Sequence, residues 1–382
     1  MKETTTARRL QLLRHAWRQH SLRRLCLATF GFRVAELAVW ISLAAYAYSA
    51  GGVGEASAVV VAELVPATLF ALAVGGLIRR NGAGRVLRWG LLVQTAGMFA
   101  AAVFLHQGEN VAAYVGAIVA ATAITTTRPS QSVLMPSLVE GPEELTAANV
   151  LSGSLHAAAG LAGPVTAALV MTAVGSWAVF ALMAAVAATS AALVWRLPTT
   201  HAVGEEDPES LLAGLRAIAR APGPRVMVLA VAVYYIVIGA LDVLSVVIAV
   251  ELLRKSESYS GYLTTAVGLG ALIAGSVAFA LIGRRWIAPW ILISALTICV
   301  TLVAVSFADS RVAPALVILV VFGVATITYE LKGVNRGLIL NVQLGTDAPH
   351  RVIGFRGSEA PLDQQTGQPL PPEKSPNLVS VP

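Results

Sequence analysis

The feature that most constrains this chain is a series of ten long apolar segments. They cover about 25–50, 56–78, 87–106, 111–127, 147–172, 175–195, 226–251, 260–283, 286–307 and 311–331. Most of them reach the roughly 20 residues that a helix needs to cross a bilayer, and they are too long for barrel strands. Only 13% of the residues are charged, about half the share of a soluble domain. The sequence therefore predicts an all-α integral membrane protein.

The distribution of basic residues predicts the orientation of these segments. If the N-terminus is cytoplasmic and the spans alternate, 23 of the 27 lysines and arginines face the cytoplasm and three, Arg254, Lys255 and Arg311, face outward. Arg33 lies within the membrane. Cytoplasmic loops of membrane proteins carry such an excess. We predict that both termini are cytoplasmic, and that topology, not a nucleic-acid partner, explains the net charge of +6.

Loop composition divides the chain into five predicted parts. The stretch "RLPTTHAVGEEDPESLLAGLRAIARAPGPR" is polar and broken by proline and glycine, which indicates a linker between two halves. The tail is proline-rich and polar, so we expect it to be mostly disordered. The predicted parts are a basic arm 1–24, a six-helix half 25–195, a cytoplasmic linker 196–225, four helices 226–331 and a polar tail 332–382.

An internal repeat relates the two predicted halves. "GGLIRRNGAGRVLRW" after the second span parallels "ALIGRRWIAPW" after the eighth, so that Arg79-Arg80 corresponds to Arg284-Arg285 with an offset of 205 residues. Halves repeated in the same direction occur in one large class of transporters. The same offset places Glu36 within one residue of Asp242. We expect these two carboxylates to face each other across a central cavity.

Several stretches resemble the Major Facilitator Superfamily, and most of all its bacterial efflux branch related to the enterobactin exporter. They include "TRPSQSVLMPSLVEGPEELTAANVLSGS", "GALDVLSVVIAVELL" and "GYLTTAVGLGALIAGS". The resemblance implies two pseudo-symmetric halves of six spans in the bacterial inner membrane. We expect spans 11 and 12 to be missing from this chain, as in a C-terminally truncated member. The loop "LIRRNGAGR" also lacks the acidic residue that the family usually carries there.

Charged residues inside the apolar segments are the candidate site residues, because burying a charge in a bilayer is unfavourable. Arg33 and Glu36 lie three residues apart on one helix face. They either staple the helix near its cytoplasmic end or form a cavity-facing pair in which Arg33 keeps Glu36 ionised. Asp242 has no cation within a helical turn. Protonation would relieve the unfavourable burial of its charge, so it is a candidate proton carrier or a structural residue.

The other candidates have alternative structural roles. Glu63 precedes Pro66 by three residues and either belongs to the proton pathway or hydrogen-bonds backbone that the proline leaves open. His156 is either a proton relay or a polar contact between helices. Six arginines determine topology, and the resemblance adds a gating role for them. They are Arg79, Arg80, Arg85, Arg128, Arg284 and Arg285.

Motifs for other chemistry are missing from the sequence. It contains no P-loop, HExxH or CxxC pattern. We therefore predict no enzymatic activity, no cofactor and no metal. The predicted function is secondary active transport, in which proton flow drives export of a small amphipathic molecule by alternating access. Its partners are a small-molecule substrate, protons and the lipid bilayer. The alternative is a truncated, transport-inactive or accessory membrane protein of the same fold.

Overall fold

The computed structural model describes residues 14–15, 17–139, 141–199, 243–281 and 317–322, with isolated positions at 239, 297, 300, 301, 303, 304 and 324. These residues form helices and the turns between them, and none lies in a strand. The protein is an all-α membrane protein, as predicted. The predicted linker beyond 199, the polar tail and most of the ninth and tenth spans lie outside the described residues.

Helix α1, His20–Asn81, contains the first two predicted spans. A kink at Gly51 and Gly52 divides it into two limbs, and Gly52 has a φ of 70°. A residue with a side chain rarely adopts this conformation, so glycine allows the chain to reverse within two residues. The sequence predicted a five-residue loop, 51–55, between the spans. The structure shortens it because the second limb resumes directly after Gly52.

Five more helices, one of them the short α4 at Thr127–Ser137, follow α1. Helix α2 is Ala83–Gln107, α3 is Asn110–Ile124, α5 is Pro142–Ala173 and α6 is Ser176–Val194. These helices overlap the third to sixth predicted spans. The 25 residues of α2 rise about 37 Å at 1.5 Å per residue, which exceeds the hydrocarbon thickness of a bilayer. We call α1 to α6 the N-terminal bundle.

Helix α4, Thr127–Ser137, was not predicted. Hydropathy predicts a fourth span that reaches residue 127, followed by a loop. In the structure α3 ends at Ile124. The backbone N–H groups of Thr125 and Thr126 there bond to the carbonyls of Thr122 and Ala123, three residues back, at 3.3 and 3.1 Å.

The described part of the second predicted half includes helices α7 and α8 and a helical segment at 317–322. Helix α7, Val243–Leu252, ends as a π-helix over Ile248–Leu252. Arg254, just beyond it, has a φ of 52° and is the one described non-glycine residue with positive φ. Helix α8 is Tyr259–Leu281. A π-helix and a left-handed residue in close succession are uncommon, and both occur often at functional positions.

Small residues let the helices of the N-terminal bundle approach closely. A Cβ atom on Gly97 of α2 would lie 2.7 Å from the carbonyl oxygen of Gly116 in α3, and one on Gly163 of α5 would lie 3.0 Å from the carbonyl oxygen of Val34 in α1. Membrane helices associate through such backbone-to-backbone packing, since lipid supplies no hydrophobic drive between them. α1 packs on α5 and α6, and α2 packs on α3 and α6.

The helices have two distinct ends. The first, which we call the glycine-turn end, carries the turns at Gly52, Gly108 and Gly175. The second, which we call the arginine end, carries the start of α2 and the end of α6, where Arg88 Nη1 donates to the carbonyl oxygen of Trp195 at 2.7 Å. Its exposed arginines include Arg79, Arg80, Arg85 and Arg196.

Candidate functional site

The first candidate pair forms a direct ion pair inside α1. Arg33 Nη1 donates to Glu36 Oε2 at 2.5 Å, and the Glu36 residue is only 6% exposed. Residues three apart on a helix face the same side, which explains why the pair forms within one turn. The Nε of Arg33 is also buried and has no hydrogen-bond partner among the described residues. The guanidinium therefore has donor capacity that Glu36 does not use.

Two further charged or titratable groups, from other helices, lie near this pair. Arg128 at the start of α4 and His156 in α5 both interact electrostatically with Glu36, and they interact with each other. The sequence predicted roles for all four residues, and the structure brings them together. We call Arg33, Glu36, Arg128 and His156 the four-residue cluster. Arg128 and His156 are exposed whereas Glu36 is buried, so the cluster extends from the interior of the bundle to an accessible surface.

Helix α8 packs closely against α5 of the N-terminal bundle. A Cβ on Gly261 would lie 2.8 Å from the Cβ of Ala168, and one on Gly268 would overlap the carbonyl of Gly160. These contacts extend from the level of Gly160 toward the glycine-turn end.

The surface of α5 between Gly160 and the arginine end is accessible. Gly153, Ser154 and His156 are exposed there. A Cβ on Gly153 would meet nothing within 4 Å. The four-residue cluster can therefore be reached from the arginine end.

At the glycine-turn end, a hydrogen bond joins α1 of the N-terminal bundle to α7. The hydroxyl of Tyr48 in α1 donates to Glu251 Oε1 in the π-helix at 2.7 Å. The sequence does not single out either residue, since a tyrosine and a glutamate near span ends are common. The signal available was their position: each closes the corresponding span, 203 residues apart, which is close to the repeat offset.

Tyrosine contacts within the N-terminal bundle also attach the glycine-turn end of α1 to α3. Tyr46 donates to Asn110 Oδ1 and Tyr114 donates to Glu55 Oε1, both at 2.6 Å. The rings of Tyr46 and Tyr114 meet edge to face at 6.5 Å. α1 is thus attached to α3 by polar and aromatic contacts, and to α7 by the Tyr48 bond.

Gln94 is a further residue that the sequence did not single out. It is completely buried in α2, and neither atom of its amide has a hydrogen-bond partner among the described residues. It lies between Gly90 and Gly97 on the face of α2 that packs against the neighbouring helices. An amide in the middle of an apolar span was the available signal, because buried polar groups normally have partners.

The remaining predicted residues are distributed over other parts of the chain. Glu63 is buried in the second limb of α1 at 4% exposure, whereas the electrostatic neighbours of Glu36 come from the first limb, α4 and α5. Arg79, Arg80 and Arg85 are exposed at the arginine end. Asp242, Arg284 and Arg285 lie outside the described residues, so the predicted pairing of Glu36 with Asp242 stays a prediction.

The described side chains do not form a metal site. Within the described part of the chain, no group of three histidine, cysteine, aspartate or glutamate residues lies close enough to hold an ion. The four-residue cluster instead contains two guanidiniums, a carboxylate and an imidazole. Such a set can bind an ionised or hydrogen-bonding group and can exchange a proton at its histidine or carboxylate.

A family model identifies the family of this chain, and solved structures share its fold. The model of the Major Facilitator Superfamily matches residues 25–352. Similar solved structures include the Escherichia coli fucose:proton symporter FucP, with 16% identity, a TM-score of 0.54 and coverage of 87% of this chain and 93% of that chain. A bacterial homologue of the iron transporter ferroportin, in an inward-facing state, has 17% identity, a TM-score of 0.60 and coverage of 85% and 86%.

A third similar structure is the nucleoside transporter NupG, with 15% identity, a TM-score of 0.64 and coverage of 82% of this chain and 81% of that chain. At these identities the structural likeness concerns the fold. A search of curated protein sequences finds no match to this chain.

Proposed function

Since this chain belongs to the Major Facilitator Superfamily, a family of secondary transporters, we propose that it moves a small amphipathic molecule out of the cell by alternating access, coupled to inward proton flow. The four-residue cluster is its substrate site, and Asp242 is the proton carrier. The single observation that carries the proposal is that a buried ion pair, Arg33 with Glu36, is joined by Arg128 and His156 from two other helices. Ionisable groups inside a membrane domain mark substrate or ion pathways.

The conformation of the described helices supports alternating access. The Tyr48–Glu251 bond and the Gly261–Ala168 contact close the glycine-turn end. His156 and its neighbours on α5 are exposed toward the arginine end. A carrier in this conformation receives substrate from the arginine end, and it releases substrate at the other end once the closing contacts separate. By the basic-residue bias the arginine end is cytoplasmic, so this conformation is open to the cytoplasm. The export direction rests on the resemblance of the sequence to the efflux branch of the family.

In the proposed proton coupling, the two carboxylates of Glu36 and Asp242 have different roles. Arg33 holds Glu36 ionised through their ion pair, whereas Asp242 has no cation within a turn of sequence. Proton uptake from outside would then occur at Asp242 and would favour release of the substrate. Arg128 and His156 would contact the polar group of the substrate, since they are the exposed members of the four-residue cluster.

Transport by the purified full chain in proteoliposomes tests the function. The readout is internal pH with a fluorescent dye, while a panel of amphipathic compounds is added under an imposed proton gradient. At least one compound should cause proton movement. We expect Asp242→Asn to abolish this movement and Glu36→Gln to weaken the apparent affinity for the compound. Coupled transport that persists with both acids neutralised would refute the site, and absence of any transport would favour the inactive alternative.

Reporter fusions test the predicted orientation, in which the arginine end is cytoplasmic. Fusions at Gly108, Thr200 and Lys255 should report periplasm, cytoplasm and periplasm, in that order, in the bacterial inner membrane. The reason is the strong bias of basic residues toward the arginine end. A cytoplasmic signal at Lys255 would reject the predicted number of spans in the second half, and a cytoplasmic signal at Gly108 would reject the predicted orientation of the N-terminal bundle.

A further inference from the structure

A groove with a gradient of polarity lies between α2 and α6 at the arginine end. It consists of two adjoining cavities of about 420 and 200 Å³, and both are lined by Leu92 and Trp195. The larger cavity continues deeper along the three alanines of α6, Ala188, Ala191 and Ala192. The smaller one ends at Arg85, Arg88 and Trp89. The groove is separate from the four-residue cluster, which lies on α1, α4 and α5.

Two rows of side chains, one on α2 and one on α6, line this groove. On α2, Arg85, Arg88 and Leu92 are spaced by three and four residues and share one face, with the arginines nearest the helix start. On α6, Ala188, Ala191 and Trp195 have the same spacing. The alanines leave space where larger side chains would fill it.

One guanidinium is fixed at the floor of the groove. Arg88 Nη1 donates to the carbonyl oxygen of Trp195 at 2.7 Å and its Nε donates to that of Gly84 at 3.1 Å. Arg88 also lies over the Trp195 ring, 6.0 Å from the centroid. An arginine has five N–H donors, so donors remain after these two bonds. Arg85 and Arg196 are exposed beside it.

We propose that this groove binds an anionic phospholipid of the surrounding leaflet, with its phosphate at Arg85, Arg88 and Arg196 and one acyl chain along Leu92 and the alanines of α6. Among the described residues no acidic side chain lines either cavity, so the charge complements a phosphate. Basic pockets between membrane helices bind anionic headgroups in this way.

The two exposed tryptophans place the groove at the depth that a lipid requires. Trp89 is 62% exposed and Trp195 is 56% exposed. Tryptophan concentrates at the level of the headgroups, where its ring is amphipathic. The order from the arginine end inward is therefore guanidinium, indole and then apolar side chain. A phospholipid presents phosphate, glycerol backbone and acyl chain in the same order.

Lipid titration of the purified full chain in uncharged detergent tests the proposal. The readout is the rise in thermal unfolding temperature with phosphatidylglycerol, phosphatidylcholine or soluble glycerol 3-phosphate. Phosphatidylglycerol should stabilise the protein most. The variant Arg85→Gln with Arg196→Gln should bind it about thirtyfold more weakly, because each basic residue near an anionic surface contributes about a factor of five. Both side chains are exposed, so the change should not prevent folding.

Matched variants make the outcome specific to the groove. The variant Arg18→Gln with Arg80→Gln removes the same charge from exposed positions outside the groove, and it should bind as the unmodified chain does. Arg85→Lys with Arg196→Lys should keep most of the affinity. Equal loss in both glutamine variants would overturn the site. Equal stabilisation by phosphatidylcholine would overturn the charge requirement, and equal stabilisation by glycerol 3-phosphate would overturn the lipid as occupant.

Discussion

Replacing Tyr48 by phenylalanine should shift the chain toward a state that is open at the glycine-turn end. The substitution removes only the hydroxyl that donates to Glu251 Oε1 at 2.7 Å. This bond joins α1 of the N-terminal bundle to the π-helix of α7. Alternating access requires these two elements to separate, so the bond stabilises the closed end alone. Its loss lowers the stability of that state and leaves the open state unchanged.

The structure sets the size of this shift. A hydrogen bond to a charged group contributes roughly 1.5–3 kcal/mol. Tyr48 is 9% exposed, but Glu251 is exposed and remains in contact with water after the substitution. We therefore expect the lower limit, about 1.5 kcal/mol. Since about 1.4 kcal/mol corresponds to a factor of ten, the ratio of open to closed molecules should rise about tenfold.

Distance measurement between two spin labels reports this ratio without any knowledge of the substrate. The labels are attached at Val111, at the start of α3, and at Lys255, after the π-helix. Both positions are exposed at the glycine-turn end. The native cysteines Cys26 and Cys299 are first replaced by alanine. Double electron–electron resonance on the purified chain then gives the population of short and long distances, and Tyr48→Phe should increase the long one.

Tyr46→Phe is the matched control. Its hydroxyl donates to Asn110 Oδ1 at 2.6 Å, which is a bond within the N-terminal bundle. Its loss should leave the distance distribution unchanged. Glu251→Gln keeps an acceptor oxygen and should shift the population less than Tyr48→Phe does. An unchanged distribution in Tyr48→Phe would refute the reasoning, and so would an equal shift in Tyr46→Phe.

Two substitutions in the N-terminal bundle should change stability in purified protein, measured by thermal unfolding. Gly97→Ala should lower the unfolding temperature by several degrees, because its Cβ would lie 2.7 Å from the Gly116 carbonyl oxygen. Gly153→Ala, where a Cβ meets nothing within 4 Å, should not lower it, and similar losses in both would contradict the packing explanation. Glu36→Gln leaves the partly buried Arg33 guanidinium without its charge partner and should destabilise by up to about 3 kcal/mol. Replacing both members of that pair by leucine should recover most of the loss, whereas an additive loss would show that the pair is not the cause.

The sequence by itself determined the membrane fold and the approximate helix positions. Apolar segments long enough to cross a bilayer exclude most other architectures, and backbone hydrogen bonding in lipid then requires helices. The predicted spans 3, 5 and 6 lie within or within one residue of α2, α5 and α6. The intrahelical pair of Arg33 and Glu36 was also predictable, since it depends only on a spacing of three residues within one helix.

The sequence was less informative about places where single residues interrupt a helix. At the break between α3 and α4, the backbone N–H groups of Thr125 and Thr126 bond three residues back, at 3.3 and 3.1 Å. The reversal at Gly52 depends on one left-handed residue. A hydropathy pattern averages over about 20 residues and does not detect such single-residue features.

Only the tertiary structure decided which residues from different helices meet. Glu36 acquires Arg128 and His156 as neighbours, and Tyr48 meets Glu251 across 203 residues. The groove between α2 and α6 likewise combines arginines that the sequence assigned to topology. These contacts depend on the rotation of each helix about its axis and on how closely glycines let neighbours approach. Hydropathy places a helix in the bilayer, but in a span that is apolar on all sides it does not determine which face packs against which neighbour.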